Sequence, residues 1–235
     1  MWKLIRLEWR KNQIGKYIRN AVILAAVLGM FLFAFTYLGI ANDPDTGMPD
    51  AVQGEHTLSS TVEMFTSISF LVFTGVMLAS FLVSAYQNKT MALMFLYPIK
   101  RQKILVAQML AVWLFNLAAL VITKLFLYGV LLLGASFLEP AFPIDFTMTD
   151  IGFLLQAVVK SGITVSMGFI ALYVGLAMKS SKAAILTSFL LILLTQANVG
   201  DFSMAGNLVV PLLLIAVSLV CAVLSVCGVE QRDLR

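Results

Sequence analysis

Charged side chains are scarce in this 235-residue chain, where they make up 12% of the residues while 60% are hydrophobic. In soluble domains about a quarter of the residues are charged. No polar stretch of the sequence is long enough to enclose a core of its own. The composition therefore excludes an ordinary soluble domain. It predicts an all-α, polytopic membrane protein in which residues 1–235 form a single transmembrane domain.

Side chains that catalyse reactions or bind metals are also few. His56 is the single histidine, and the two cysteines, Cys221 and Cys227, do not form a CxxC motif. The sequence contains no HExxH, GxSxG or G-x-x-x-x-G-K-[ST] motif. We therefore expect no catalytic site, metal site or cofactor in this chain. Any ATP-driven work would come from a partner that itself binds ATP and Mg.

Long apolar runs dominate the rest of the sequence. Because about 20 apolar residues cross a bilayer as a helix, the runs predict six transmembrane helices. The third run continues for roughly 35 residues, so its ends must project from the bilayer or the helix must tilt. The predicted spans cover residues 21–41, 63–86, 104–138, 151–178, 183–199 and 208–228.

The segments that join these spans alternate in charge. Fourteen of the sixteen Lys and Arg residues lie in the N-terminal segment, the loop 87–103, the turn Lys179–Lys182 and the tail. Nine of the twelve acidic residues lie in or beside the three opposite segments. Since basic segments stay on the cytosolic side, both termini are predicted to be cytosolic.

Residues 1–20 have the pattern of a helix that lies in the membrane interface. Trp2, Ile5 and Trp9 recur at i, i+3 and i+7, and tryptophan prefers the headgroup region. Cations recur at the same spacing beside them, where they can meet anionic phosphates. The alternative is a charged flank that only fixes the orientation. The residues assigned to the interfacial helix are Trp2, Glu8, Trp9 and Arg10, with Lys3 and Arg6 on the cationic stripe.

The loop 87–103 combines a short apolar stretch with cations on both sides. Thr90–Tyr97 can form about two helical turns before Pro98 ends the helix. An apolar patch on a cytosolic loop usually marks a partner site. We therefore expect a cytosolic protein to dock here. The candidate docking residues are Met91, Met94, Phe95, Tyr97, Pro98, Lys100 and Arg101.

Two cations interrupt the predicted spans, Lys124 in the third and Lys160 in the fourth. A cation at the centre of a membrane helix costs about 3 kcal/mol or more, so each requires an explanation. One explanation is structural: the side chains snorkel to headgroups or pair with Glu63 or Glu139. The other is functional, a cationic patch that contacts an anionic lipid or a substrate.

The fourth span carries two pairs of small residues four positions apart, Gly162 with Ser166 and Ala171 with Gly175. Such pairs let membrane helices approach closely. They fit either close packing inside the subunit or an interface between subunits.

Taken together, these features resemble the ABC-2 type transporter permeases. The resemblance rests on the N-terminal Leu-Ile-Arg-Leu-Glu-Trp-Arg-Lys, the six-span plan and the loop ending Leu-Tyr-Pro-Ile-Lys-Arg-Gln-Lys-Ile-Leu. In size the chain is similar to the small permeases of bacterial exporters that handle bacitracin, lantibiotics and toxins of the phenol-soluble-modulin type. The family's proline and basic positions match Pro98, Lys100 and Arg101.

The resemblance implies a function and a set of partners. The chain would be the permease of an ATP-driven exporter of amphipathic, antimicrobial or toxin peptides in the bacterial plasma membrane, with a role in antimicrobial resistance. It would pair with a second permease copy and two copies of a separate ABC ATPase, with the loop 87–103 as the coupling loop. Lipid and a peptide substrate are the other expected partners; nucleic acid is not. The alternative is a non-transporting scaffold or sensor that recruits a cytosolic partner.

Overall fold

The computed structural model describes residues 2–37, 58–84, 101–137, 150–196, 198–199, 202–203 and 209–232. Within these ranges the regular elements are helices, apart from one antiparallel pair of two-residue strands in which Asn198 pairs with Ser203. The helices are α1 Trp2–Lys11, α2 Ile14–Tyr37, α3 Leu58–Leu78, α4 Arg101–Phe137, α5 Ile151–Ala177, α6 Ser181–Gln196 and α7 Val209–Arg232; the strands are β1 Asn198–Val199 and β2 Phe202–Ser203.

Four of these helices are long and apolar enough to cross a bilayer: Ile14–Tyr37, Leu58–Val83, Gln102–Ser136 and Ile151–Ala177. The second includes a π-helical turn, Ala79–Val83, that continues α3. Helix α4 runs without a break for 37 residues, which is about 55 Å at 1.5 Å per residue. It is therefore longer than the bilayer core, as its sequence predicts.

The fifth and sixth predicted spans fall on α6 and α7, whose apolar parts are the shorter stretches Ser181–Thr195 and Leu213–Cys227. Helix α6 has 16 residues and so extends about 24 Å, less than the roughly 30 Å of a hydrocarbon core. In the described part of the chain four spans are thus established by length and composition, and the count of six stays a prediction.

The N-terminal helix ends earlier than the predicted 1–20 segment. Helix α1 stops at Lys11, and Gln13 adopts a left-handed backbone with φ 50° before α2 begins at Ile14. Lys16 therefore belongs to the first turn of the first span. At the other boundary, Arg101 starts α4 instead of closing the preceding loop.

The turn between α5 and α6 is compact and well bonded. The Ser180 amide donates to the Gly175 carbonyl at 3.1 Å, and the Lys179 amide donates to the Leu176 carbonyl at 3.3 Å. This is the Schellman pattern, in which the residue after the helix is left-handed. Lys179 occupies that position with φ 48°, so a basic side chain stands where glycine is usual.

Residues Gly15–Ser69 and Ala118–Ser161 form one of two compact units. Its core brings together residues from α2, α3 and α4, with Phe153 of α5 packed against it. Phe65 makes edge-on contacts with Phe31 and Phe35, with ring centroids 5.1 and 6.0 Å apart. The core residues are Leu28, Leu32, Val62, Leu127, Tyr128, Leu131 and Ala135.

The other unit comprises Met1–Ile14, Phe70–Leu117 and Gly162–Arg235, and small residues let its helices pack closely. A Cβ atom on Gly175 would lie 2.6 Å from the Cβ of Ala184, and one on Gly168 would lie 2.7 Å from Cγ2 of Thr74. Ala171, the other member of the Ala171–Gly175 pair, is fully buried. This pair therefore serves close packing inside the subunit, the first of the two explanations that its sequence allows.

Hydroxyl groups within the spans are satisfied locally. Thr66, Thr74 and Ser161 each donate to the backbone carbonyl four residues earlier, at 2.6–2.7 Å. Since no water is present in a bilayer core, a polar group there must find a partner in the protein. The intrahelical bonds meet that requirement, so these residues need no partner on another helix.

Candidate functional site

Most of the predicted docking residues lie outside the described residues. These are Met91, Met94, Phe95, Tyr97, Pro98 and Lys100; the backbone of Arg101 is described as the first residue of α4. The docking role of the loop therefore stays a prediction. What the structure adds is that this segment leads directly into the longest helix of the described chain.

The structure places the two intramembrane lysines in different environments. Lys124 of α4 is 1% exposed, and its Nζ atom lies 2.7 Å from Oε2 of Glu63 on α3. The Glu63 side chain keeps 16% of its surface exposed. Of the two structural explanations for Lys124, the structure shows the ion pair with Glu63, because a buried side chain does not reach headgroups.

Lys160 of α5 is exposed on the surface. It also lies within electrostatic range of Lys124, which it meets as a like charge. The pair Glu63–Lys124 and the side chain of Lys160 thus form one charged cluster within the unit that contains them. Lys124 is thus buried against Glu63, whereas Lys160 is exposed, and a contact of either lysine with a lipid or a substrate stays a prediction.

Helix α4 also buries two amide side chains that the sequence reasoning missed. Asn116 is fully buried, and its Nδ2 group donates to the Val112 carbonyl at 2.9 Å and to Sδ of Met77 at 3.3 Å. Gln108 is equally buried, and no donor or acceptor among the described residues reaches its amide group. The signal was available in the sequence, because the two amides lie eight residues apart in an otherwise apolar run.

Two tryptophans connect helices through their indole N–H groups. Trp113 of α4 donates to Oγ of Ser166 on α5 at 3.1 Å. Trp9 of α1 donates to the Ala111 carbonyl of α4 at 3.0 Å. These bonds fix the side chains toward protein, and for Trp9 this differs from the headgroup contact that the sequence pattern predicts.

Helix α1 has one face on the protein and one exposed face. Ile5 and Glu8 are buried, whereas Trp2 is 65% exposed. The Glu8 carboxylate accepts a bond from Asn12 at 3.3 Å and pairs with Lys11 at 3.7 Å. Ile5 and Trp9 of the apolar stripe thus dock the helix. The exposed side that stays available to a membrane surface carries Trp2, Lys3, Arg6, Leu7 and Arg10.

Comparison with known proteins identifies the family. Residues 4–195 match the ABC-2 family transporter protein domain. The chain belongs to the ABC-2 transporter family. It is therefore a membrane permease of an ABC transporter, and as such a transport component and not itself the ATP-hydrolysing enzyme. Family members generally work with an ABC ATPase.

A curated relative and the solved structures add little about cargo. The ABC-2 chain is 25% identical over 238 residues to the uncharacterized protein YcbO of Bacillus subtilis strain 168, covering 98% of this chain and 99% of that protein. No solved structure matches significantly. The similarity therefore extends over nearly the whole length of both chains, but the name of this relative assigns no substrate.

Proposed function

We propose that this chain is the permease of an ATP-driven exporter and works as a homodimer with two copies of a separate ABC ATPase that binds ATP and Mg. The observation that carries the proposal is the family match over residues 4–195. The sequence contains no phosphate-binding G-x-x-x-x-G-K-[ST] motif, which supports a separate ATPase. The assembly would reside in the bacterial plasma membrane with both termini in the cytosol.

The proposed cargo is an amphipathic, antimicrobial or toxin peptide that leaves from the cytosol or the inner leaflet. Twelve methionines and seventeen phenylalanines provide a deformable apolar surface of the kind that binds varied partners. Lys160 adds an exposed positive charge at an otherwise apolar span, which suits a contact with a carboxylate or phosphate. These features support the peptide class and are also the reason to expect a contribution to antimicrobial resistance.

The proposed coupling element is the segment 87–103, whose last three residues form the start of α4. A conformational change in the ATPase would act on the apolar stretch Thr90–Tyr97 and pass into α4, which begins at Arg101. Because α4 is one continuous helix of 37 residues, a displacement at its start can be transmitted along its length as a rigid-body movement. Glu63 and Lys124 then join this helix to α3 farther along.

The test is reconstitution of the permease with its cognate ATPase in vesicles. We expect Phe95→Ala to weaken ATPase binding by about 2 kcal/mol, roughly thirtyfold, because large aromatic anchors dominate interface energies. Lys100→Glu with Arg101→Glu should slow association and reduce its dependence on salt. Gln87→Ala, a polar change in the same loop, is the matched control. Wild-type binding and ATPase stimulation in Phe95→Ala would remove the loop as the coupling element.

Peptide release from the same vesicles separates transport from recruitment. An exporter moves a labelled amphipathic peptide across the bilayer only when ATP is hydrolysed. If the ATPase binds and is stimulated while no peptide of this class moves, the peptide cargo is wrong. If the ATPase binds without stimulation or transport, the chain is instead a scaffold or sensor.

A further inference from the structure

An apolar groove of about 330 Å³ lies between α4, α5 and α7, within the unit that contains all three segments. Only apolar atoms are exposed along its walls. Its volume is at the lower end of the roughly 300–1,000 Å³ range of small-molecule sites. The lining includes Val106 and Leu110 of α4, Phe169 of α5, and Val223, Val226 and Cys227 of α7.

The groove lies near one end of each of the helices that form it. On α4, which begins at Arg101, it uses Val106 to Leu110, and on α7, which ends at Arg232, it uses Ala222 to Cys227. Both walls therefore belong to the same side of the protein, the side on which α4 begins. Because α4 and α5 are long and apolar enough to cross a bilayer, an apolar groove between them is suited to contact with lipid acyl chains.

A cation precedes the groove-lining residues on α4. Lys103 precedes Val106 by three residues and Leu110 by seven, so it lies on the same face of α4 about one turn nearer the helix start. Its side chain is exposed, and a lysine at a helix end extends its ammonium group to the headgroup level. The apolar groove wall formed by Val106 and Leu110 is thus preceded on α4 by an exposed positive charge.

We infer that this groove binds one anionic phospholipid, with an acyl chain against Leu110 and Val223 and the headgroup phosphate beside Lys103. The apolar groove matches the acyl chain of such a lipid, and the cation of Lys103 matches its anionic headgroup. A second permease copy fits less well. A two-fold axis along the membrane normal would bring two Lys103 side chains to the same depth on facing surfaces, where like charges repel.

The inference predicts a preference between lipids that differ only in charge. The purified full-length permease, in detergent, is titrated with dioleoyl phosphatidylglycerol or dioleoyl phosphatidylcholine, and lipid adducts are counted by native mass spectrometry. One lysine near an anionic surface contributes about 1 kcal/mol, so phosphatidylglycerol should bind about fivefold more tightly. Lys103→Gln should abolish this preference, and Lys182→Gln, which removes an exposed cation from the first turn of α6, should preserve it.

Two neighbouring residues of α7 provide a steric control. Val223 lines the groove and Leu224 does not, although both are exposed. Val223→Trp should fill the groove and remove the tightly bound lipid, whereas Leu224→Trp should leave it in place. Equal binding of the two lipids by the wild type, an unchanged preference in Lys103→Gln, or equal effects of the two tryptophans would each show ordinary boundary lipid and overturn the inference.

Cross-linking through Cys227 tests whether a second permease copy, instead of a lipid, occupies the groove. It is an exposed free thiol on the groove wall, and Cys221 is the other cysteine of the chain. In a Cys221→Ala background, mild oxidation in membranes should leave the permease without a cross-link through Cys227 if lipid fills the groove. An efficient Cys227–Cys227 cross-link between copies would assign the groove to a subunit interface and overturn the lipid site.

Discussion

The Nζ atom of Lys124 on α4 lies 2.7 Å from Oε2 of Glu63 on α3, and the lysine side chain is almost completely buried. A lone charge at this position would be costly in a bilayer. The pair offsets that cost because each group meets the opposite charge and a hydrogen bond at the same time. The two residues are 61 positions apart in the sequence, so the contact ties two spans together.

Removing one member of this pair should destabilise the permease more than removing both charges. Lys124→Met or Glu63→Gln alone leaves an unpaired charge, and loss of one partner of a buried pair typically costs about 3–5 kcal/mol. The double variant should recover a large part of this loss. The measurement is the melting temperature of the detergent-purified permease by fluorescence-detected size exclusion.

Lys160→Met is the control for the Lys124 variants, because this lysine is exposed. It should melt within a few degrees of the wild type. If Lys160 contacts cargo, its replacement should still lower peptide export while ATPase binding is preserved. Strictly additive losses in the Glu63 and Lys124 variants would argue against a stabilising pair.

Gly175→Ala should destabilise the packing of α5 against α6. The new Cβ would lie 2.6 Å from Cβ of Ala184, which can move only with its backbone, and 3.1 Å from Cγ2 of Val83. Overpacking of this kind costs about 1–3 kcal/mol, seen as a lower melting temperature. Ala184→Gly in the same variant should recover part of the loss, because it removes the 2.6 Å contact but places a glycine within α6.

Gly162→Ala is the matched control on the same helix. A Cβ at this position would meet only Cδ1 of Leu117, at 3.8 Å, which is an ordinary contact. Alanine also favours the helix over glycine by up to about 1 kcal/mol. Equal losses at Gly162 and Gly175 would mean that helix-to-helix distance does not decide the effect.

Trp9→Phe should loosen α1 from the rest of its unit. The change removes the bond from Nε1 to the Ala111 carbonyl while it keeps an aromatic ring near Trp2, whose ring centroid lies 6.0 Å away. One such bond contributes about 1 kcal/mol, so amide hydrogen exchange across α1 should become about fivefold faster.

Trp2→Phe should leave the exchange of α1 unchanged in the same experiment, because Trp2 is largely exposed. We expect Trp2→Phe to change the contact of α1 with the membrane instead. If the two variants accelerate exchange equally, the indole bond of Trp9 does not hold the helix. If neither does, the docking of α1 depends on Ile5 and Glu8.

The orientation predicted from the charges can be tested by cysteine accessibility. In a variant with Cys221→Ala and Cys227→Ala, Ser59→Cys and Met148→Cys should react with a membrane-impermeant thiol reagent in intact cells. Gln102→Cys should react only after lysis, because it lies at the start of α4 between the cations Arg101 and Lys103. Labelling of Gln102→Cys in intact cells would invert the orientation.

Composition and apolar periodicity were sufficient to predict the helical class, because a bilayer forces every backbone amide to bond within its own segment. The length of the run from Ile104 to Leu138 likewise predicts the unbroken α4. The alternation of basic and acidic segments leads to an orientation without any coordinates, since that rule depends on charge counts alone. The loop motif around Pro98 and the N-terminal segment led to the family, and the match over residues 4–195 confirmed it at that level.

The tertiary structure decided which residues far apart in the sequence are in contact. The sequence offered Lys124 two acidic partners and the membrane surface, and only the packing of α3 beside α4 selected Glu63. The same holds for Trp9. Its place in the amphipathic pattern of α1 fits a headgroup contact, but its indole N–H donates to the carbonyl of Ala111, 102 positions away in the sequence. A one-dimensional pattern records which faces are apolar, and it does not record which surface covers them. The packing of the helices determines that in three dimensions.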